Sequence, residues 1–376
     1  MIRYAEGRVV AIHERRVSLE IVEVETDLKD HDRRQVMHFP KLWRSLQIGD
    51  RVLLNINAVS LDLGTGGYDF VVSLLDEDVS FYSNRTLTGH ILKMRYTPLQ
   101  LSVQAEELML PETVWNYPLE QSLAGRTVFI LPLHSALPLV VQCLKSNHPK
   151  SRIVYIMNDW AALPVWISRH VERLSALGML DAVITAGQAF GGTYEAINLY
   201  SALYMAHRVF TFDWIILAPG PGNVGTGTPL GHSGMNLLDA MHAVFALGGV
   251  PALLPRMSLA ETRLRQRGLS HHLLHVLRLL LRPVEIVLPE DARDRPYHET
   301  YRHFRNKIMQ LWRDPPLRRH NLNFTTMMAL EEVRSHLQAL YPVHSMGRRY
   351  TDDPLYTDAI LTACRYWQDK VFSDRS

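Results

Sequence analysis

The chain has 376 residues, 47% of them hydrophobic, which is enough for a substantial core and too long for one ordinary small domain. Its 40 basic and 38 acidic side chains leave a net charge of +2, so no overall field points to nucleic acid or to a membrane surface. Cys143 and Cys364 lie in apolar settings without metal-type spacing and read as buried free thiols. No apolar run approaches the ~20 residues of a spanning helix and Met1–Glu6 has no signal core, so a cytoplasmic protein with no membrane partner is expected.

From Gly7 to Leu75, short β-branched runs alternate with turns: Arg8–Ile12, Val17–Val24, Arg51–Ile56 and Phe70–Leu74. With turns at Ile48-Gly49-Asp50 and Gly64-Thr65-Gly66-Gly67, residues 1–88 are expected to form a small β-barrel or β-sandwich. Such barrels often bind oligonucleotides, but no ladder of aromatic residues accompanies the basic ones here, and a packing or assembly role is the simpler reading.

Past Pro98, Pro111 and Pro118 the pattern changes to apolar strands alternating with amphipathic helices. Strands are expected at Val128–Leu133, Ile153–Met157, Ala182–Ala186, Trp214–Ala218, Pro251–Leu254 and Val284–Leu288. Helices are expected at Ala136–Lys145, Ala161–Leu177, Tyr194–His207, Met235–Leu247 and Ser270–Leu281. Residues 89–289 thus predict a parallel, Rossmann-like α/β domain with helices on both faces, and 290–376 a mostly helical extension that completes it. The stretch Glu290–Leu322 mixes arginines with Tyr297, Tyr301, Phe304 and Trp312; because acidic residues are interleaved, it reads as a solvated helix rather than a nucleic-acid surface.

The strongest local signal follows the strand at Trp214–Ala218. The loop from Pro219 to Gly234 carries Gly220, Gly222, Gly225 and Gly227 together with Thr226, Thr228 and Ser233, and leads into a helix. Glycines let backbone amides approach a ligand, and a helix N-terminus favours an anion, so a phosphate or carboxylate suits this loop. Gly220, Gly222 and Gly225 formally satisfy GxGxxG, but the strand is not the first of the sheet and the next one ends in Arg256, so this is not a dinucleotide fingerprint. A second loop, Gly187 to Thr193, places Gly191 and Gly192 at the same end of the sheet, with Glu195 expected in the following first helical turn, as a dipole partner or a binder of a ligand hydroxyl.

Asp159 follows a strand and is expected to cap the next helix; from the same place it is a candidate general base or cation ligand. The segment Arg256–His272 brings Arg256 and Arg267 beside the cleft. Ser270 reads as an N-cap that puts His271 and His272 in a first turn, kept neutral by the helix dipole and available as catalytic candidates. His271 and His275 share a helical face, the spacing of a metal pair, but no third ligand is evident and no metal is assigned. Finally, Tyr341–Val343 reads as a strand before Met346-Gly347-Arg348; Arg348 either joins the anion site or pairs with Asp352 or Asp353.

With these segments in view, the chain resembles a bacterial family known only as domain of unknown function family 3866. The resemblance spans most of the chain and rests on Gly89-His90-Ile91-Leu92-Lys93-Met94-Arg95-Tyr96-Thr97-Pro98-Leu99-Gln100, Ala189-Phe190-Gly191-Gly192, the Pro219–Gly234 loop, Arg267-Gly268-Leu269-Ser270-His271-His272 and Met346-Gly347-Arg348. It implies no established activity. Against the family pattern, Trp160 stands where glycine is usual, Gln188 where histidine is, and Thr193 where an acidic residue is.

The expectation is therefore a binder of a small phosphorylated or carboxylated metabolite, with a transferase or hydrolase favoured over an oxidoreductase and no nucleophile or cofactor assigned. The alternatives are a non-catalytic ligand sensor or assembly scaffold, for which a homo-oligomer is natural, and, least favoured, a nucleic-acid-binding protein.

Overall fold

The computed structural model describes residues 1–28, 32–64, 66–83, 88–159 and 161–373, without the side chains of Val79, Phe81 and Asp159. Thr65 of the expected second turn and Trp160 lie outside the described residues. The chain divides into two compact units, Met1–Thr88 and Gly89–Ser376.

In the first unit, β1 (Tyr4–Arg15), β2 (Glu20–Thr26), β3 (Arg33–His38), β4 (Arg51–Asn55) and β5 (Asp69–Leu74) close into a barrel in the order β1-β2-β3-β5-β4. β4 returns antiparallel to β1, and β3 and β5 run parallel. This is the strand order of the five-stranded oligonucleotide/oligosaccharide-binding type of barrel. Alternate residues point inward, so Val9, Val22, Val24, Val36, Val52 and Leu54 fill the interior. Two register shifts bend β1 enough for it to pair with both neighbours. β3 is absent from the sequence reading because Arg33-Arg34-Gln35 hides its apolar half, Val36-Met37.

The second unit opens with a hairpin, β6 (Ile91–Lys93) and β7 (Leu101–Val103). Its centre is an all-parallel sheet of β8 (Thr127–Ile130), β9 (Ile153–Asp159), β10 (Ala182–Gly187), β11 (Tyr194–Ala196), β12 (Trp214–Ala218) and β13 (Val250–Leu253), in the order β11-β10-β9-β12-β8-β13. Its inner strands are apolar at nearly every position, as burial on both faces demands. Helices Leu137–Asn147, Arg169–Ala176 and Leu330–Gln338 pack with Phe129, Tyr155 and Ile216 on one face. Helices Leu199–Tyr204, Asn236–Ala246 and His271–Leu279 pack with Val128, Ile156 and Ile215 on the other. Cys143 and Cys364 are buried free thiols.

Several expected elements differ. The helix expected from Ala161 forms only over Arg169–Ala176, where Ser168 caps it by accepting the Val171 N–H at 3.0 Å; Asp159 ends β9 and is not its cap. The helix expected from Tyr194 begins as strand β11, which places Glu195 in a strand; the helix proper runs over Leu199–Tyr204, capped by Asn198, and finishes in a π-turn. A short antiparallel pair, β14 (Met257–Ser258) and β15 (Gly268–Leu269), brackets the arginine segment. The strand expected at Val284–Leu288 forms as β16 (Glu285–Pro289), but it pairs with β17 (Asn321–Thr325) outside the main sheet. Tyr341–Val343 forms no strand, and a turn closed by Ser345 and Arg348 follows it. Helix His298–Leu311 in the basic segment buries Tyr301 and Ile308 and leaves most of its charged side to solvent.

Candidate functional site

The strand order makes one place in the second unit distinctive. β12 lies between β9 and β8, whose following helices cover one face, whereas the helix that follows β12 covers the other. Connections that diverge to opposite faces leave a crevice at the carboxyl ends of the strands, where ligands of open α/β sheets bind. A small cavity of ≈ 20 Å³ lies there, lined by Pro132 after β8, Asn158 on β9, Pro219 after β12, and Asn223, Ser233 and Asn236. Asn236 opens the 11-residue helix Asn236–Ala246; it is 7% exposed, and its Oδ1 makes no hydrogen bond among the described residues.

The glycine loop reaches this cavity only by its base. Its tip is a small hairpin in which Gly225 bridges His232. The Thr226 N–H donates to the Gly231 carbonyl at 2.7 Å, and the Gly231 N–H donates to Thr228 Oγ1 at 3.1 Å. Thr226 and Thr228 hydroxyls are 2.9 Å apart. Residues Gly222 to Leu230 are exposed, so Gly222, Gly225, Gly227, Thr226 and Thr228 shape the hairpin and do not line the cavity. Gly222 and Gly227 have φ of +99° and +81°, which favours glycine on conformational grounds alone. Ser233 does line the cavity, and its hydroxyl donates to Asn223 Oδ1 at 3.1 Å.

In the second loop, glycine is required by packing. A Cβ on Gly191, whose φ is +89°, would lie 2.5 Å from Trp166 Nε1, and one on Gly192 would lie 2.8 Å from the Val183 carbonyl oxygen. The Gly191 N–H donates to Glu195 Oε1 at 2.6 Å. Glu195 Oε2 receives Lys93 Nζ at 2.6 Å and Thr185 Oγ1 at 2.7 Å, and Lys93 also donates to the Thr185 and Ala189 carbonyls. Glu195 is thus the anchor of a buried ion pair, and burial lowers the Lys93 pKa. The two departures from the family pattern that can be inspected are structural as well: Gln188 Oε1 accepts the Met94 N–H at 2.7 Å, and Thr193 Oγ1 accepts the Val183 N–H at 3.1 Å.

Four imidazoles gather beside the crevice. His232 from the glycine loop stacks on His272, with ring centroids 3.8 Å apart, and His271 lies 4.2 Å from His272. His275 is 5.3 Å from His271 and 5.8 Å from His232. Burial, together with the neighbouring imidazoles and Arg256, pushes the His272 pKa down to about 3; burial with His275 and Arg265 lowers that of His271 to about 4. Both rings are neutral as expected, although burial and not the helix dipole is the main cause. The Nδ1 atoms of His232, His271 and His275 are buried and unpaired among the described residues. Among those residues, no three of histidine, cysteine, aspartate and glutamate are placed to hold a metal ion. Ser270 sits at the N-cap position but turns its hydroxyl to Gln266 Oε1 at 2.6 Å, while Gln266 Nε2 stands 3.4 Å from His272 Nε2.

Arg256, just past β13, converges with Arg348 on Glu261, whereas Arg267 is exposed. Arg348 does not pair with Asp352 or Asp353: Asp352 is taken by Arg349 at 3.5 Å, and Asp353 accepts the Ser258 hydroxyl at 2.5 Å.

Sequence reasoning missed His134, Tyr155 and Ser168. The Tyr155 hydroxyl donates to the Pro219 carbonyl at 2.9 Å, and His134 Nδ1 lies 3.2 Å from the same oxygen. With Nδ1 as its donor, His134 accepts the Ser168 hydroxyl at Nε2, 2.6 Å away, and burial pushes its pKa down to about 3. The trio fixes the point where the glycine loop leaves the sheet. The available signal was the position of His134 directly after an apolar strand.

The sequence matches no curated protein. A family model described as "Protein of unknown function (DUF3866)" matches residues 35–364. A match of that length, from inside the barrel to the final helix, makes the chain a member of the DUF3866 family.

Proposed function

We propose that this chain binds a small phosphorylated or carboxylated metabolite in the crevice beyond β12. The observation that carries the reading is Asn236: its side-chain amide, at the first turn of an 11-residue helix, has a buried oxygen without a partner among the described residues and lines a cavity where strand connections diverge. Turned end for end, the amide presents its NH2 as a donor to an anion. The helix N-terminus favours negative charge, Ser233 and Asn223 add hydroxyl and amide groups, and the neutral imidazoles at the rim offer hydrogen bonds without a fixed charge.

The test is a thermal-shift screen of nucleotides, coenzyme A, sugar phosphates, small carboxylates and divalent metals. An anionic compound is expected to raise the melting temperature in a concentration-dependent way, and the rise should vanish in Asn236→Leu. An identical rise in that variant would overturn the assignment. Group transfer or hydrolysis is the activity to assay on the compound so identified, with His272→Gln separating turnover from binding.

A further inference from the structure

Three guanidinium groups surround Glu261, whose side chain is only 4% exposed. Arg263 has claimed it as a fork, with Nε 3.3 Å from Oε1 and Nη2 3.2 Å from Oε2. Arg256 and Arg348 stand off at 3.9 and 3.6 Å, too long for good hydrogen bonds. The Arg256 side chain is 13% exposed and makes no hydrogen bond among the described residues. The neighbouring carboxylate, Asp353, is spent on the Ser258 hydroxyl and the Leu259 N–H. Counting Arg256, Arg263 and Arg348 against Glu261 and Asp353 leaves one positive charge in excess. A half-buried guanidinium without a close acceptor is poorly satisfied, and its planar fork matches the oxygens of a phosphate or carboxylate.

The surroundings are polar. Arg348 lines a small cavity of ≈ 20 Å³ with Ser345 and Tyr356, and the Ser135 hydroxyl lies 2.8 Å from that of Ser345 and 3.1 Å from that of Tyr356. Ser135 follows β8 and Arg256 follows β13, so this cluster is built on the same carboxyl edge of the sheet as the crevice.

We propose that Arg256 and Arg348 form a second oxyanion seat, for a phosphate or carboxylate group, and that Glu261 is its internal competitor. The inference rests on and deepens the binding function proposed above by giving the ligand a second anionic group. Neutralising Glu261 removes the competitor and strengthens anion binding, the reverse of what loss of a merely structural carboxylate would do.

The experiment is calorimetric titration of inorganic phosphate into the intact chain, Glu261→Gln, Arg348→Met, Glu261→Gln/Arg348→Met and Glu261→Gln/Asn236→Leu. Glu261→Gln should bind phosphate about tenfold more tightly than the parent. The gain should disappear with Arg348→Met and survive Asn236→Leu. No gain, or a gain indifferent to Arg348, would overturn the seat. A gain lost only with Asn236→Leu would place the phosphate in the crevice, leaving the first reading intact and the second refuted. If Glu261→Gln does not fold, Arg348→Met alone decides: weaker phosphate binding at unchanged melting temperature supports the seat, and unchanged binding refutes it.

Discussion

The imidazole of His232 lies flat on that of His272, with centroids 3.8 Å apart and planes within 10°, joining the glycine loop to the first turn of helix His271–Leu279. Such stacking disfavours charge on both rings at once, and burial lowers the pKa of both. Their folded-state values lie below the ordinary 6.5, so the unfolded chain binds more protons in the interval between. The stabilisation is complete above pH 6.5 and is lost as pH falls toward about 3. The unfolding free energy should therefore fall between about pH 7 and about pH 5, by about 1 kcal/mol or less per pH unit from His272 after solvent screening, and be seen as a falling melting temperature. The drop should be shallower in His272→Gln; an identical pH profile in that variant would contradict the assignment.

Lys93 and Glu195 should behave as a structural pair. Lys93→Met leaves a carboxylate without its cation, and urea unfolding should show a loss of about 3–5 kcal/mol. Lys93→Met/Glu195→Leu should recover part of that loss. An unchanged unfolding free energy in Lys93→Met would contradict this structural role.

The two glycine loops should respond differently to alanine. Gly191→Ala drives a Cβ to within 2.5 Å of the Trp166 indole and should cost upward of about 2 kcal/mol. Gly222→Ala meets open space at φ +99° and should cost about 1 kcal/mol. Equal losses would show that backbone strain, not packing, governs both.

These contrasts explain what could be read from the sequence. The apolar runs of β8, β9, β10 and β12 announced the parallel sheet, because strands buried on both faces leave little else to encode. The glycine loop announced its position but not its conformation: Thr226 and Thr228 satisfy one another across a hairpin, a pairing that depends on register and not on composition. Glu195 looked like a helix-start residue because its strand is only three residues long, too short for a periodic signal. His134 and Tyr155 act through partners distant in sequence, Ser168 and Pro219, which no local pattern brings together.

The joint at Ser168 offers a further test. Ser168→Ala removes both the cap on Val171 and the donor to His134, and should lower stability by about 1–2 kcal/mol. It should also weaken any anion that stabilises the parent chain, because His134 helps to fix Pro219; unchanged anion affinity would detach the trio from the crevice.

The central claim is that an anion is held at Asn236, and the most direct measurement is NMR of the chain labelled with ¹⁵N-asparagine, with the Asn236 signals assigned by their loss in Asn236→Leu. Titrated with the strongest compound from the thermal screen, the backbone and side-chain amides of Asn236 should shift saturably, in step with the thermal stabilisation. Saturating stabilisation with the Asn236 signals unmoved would place the ligand elsewhere and contradict the account.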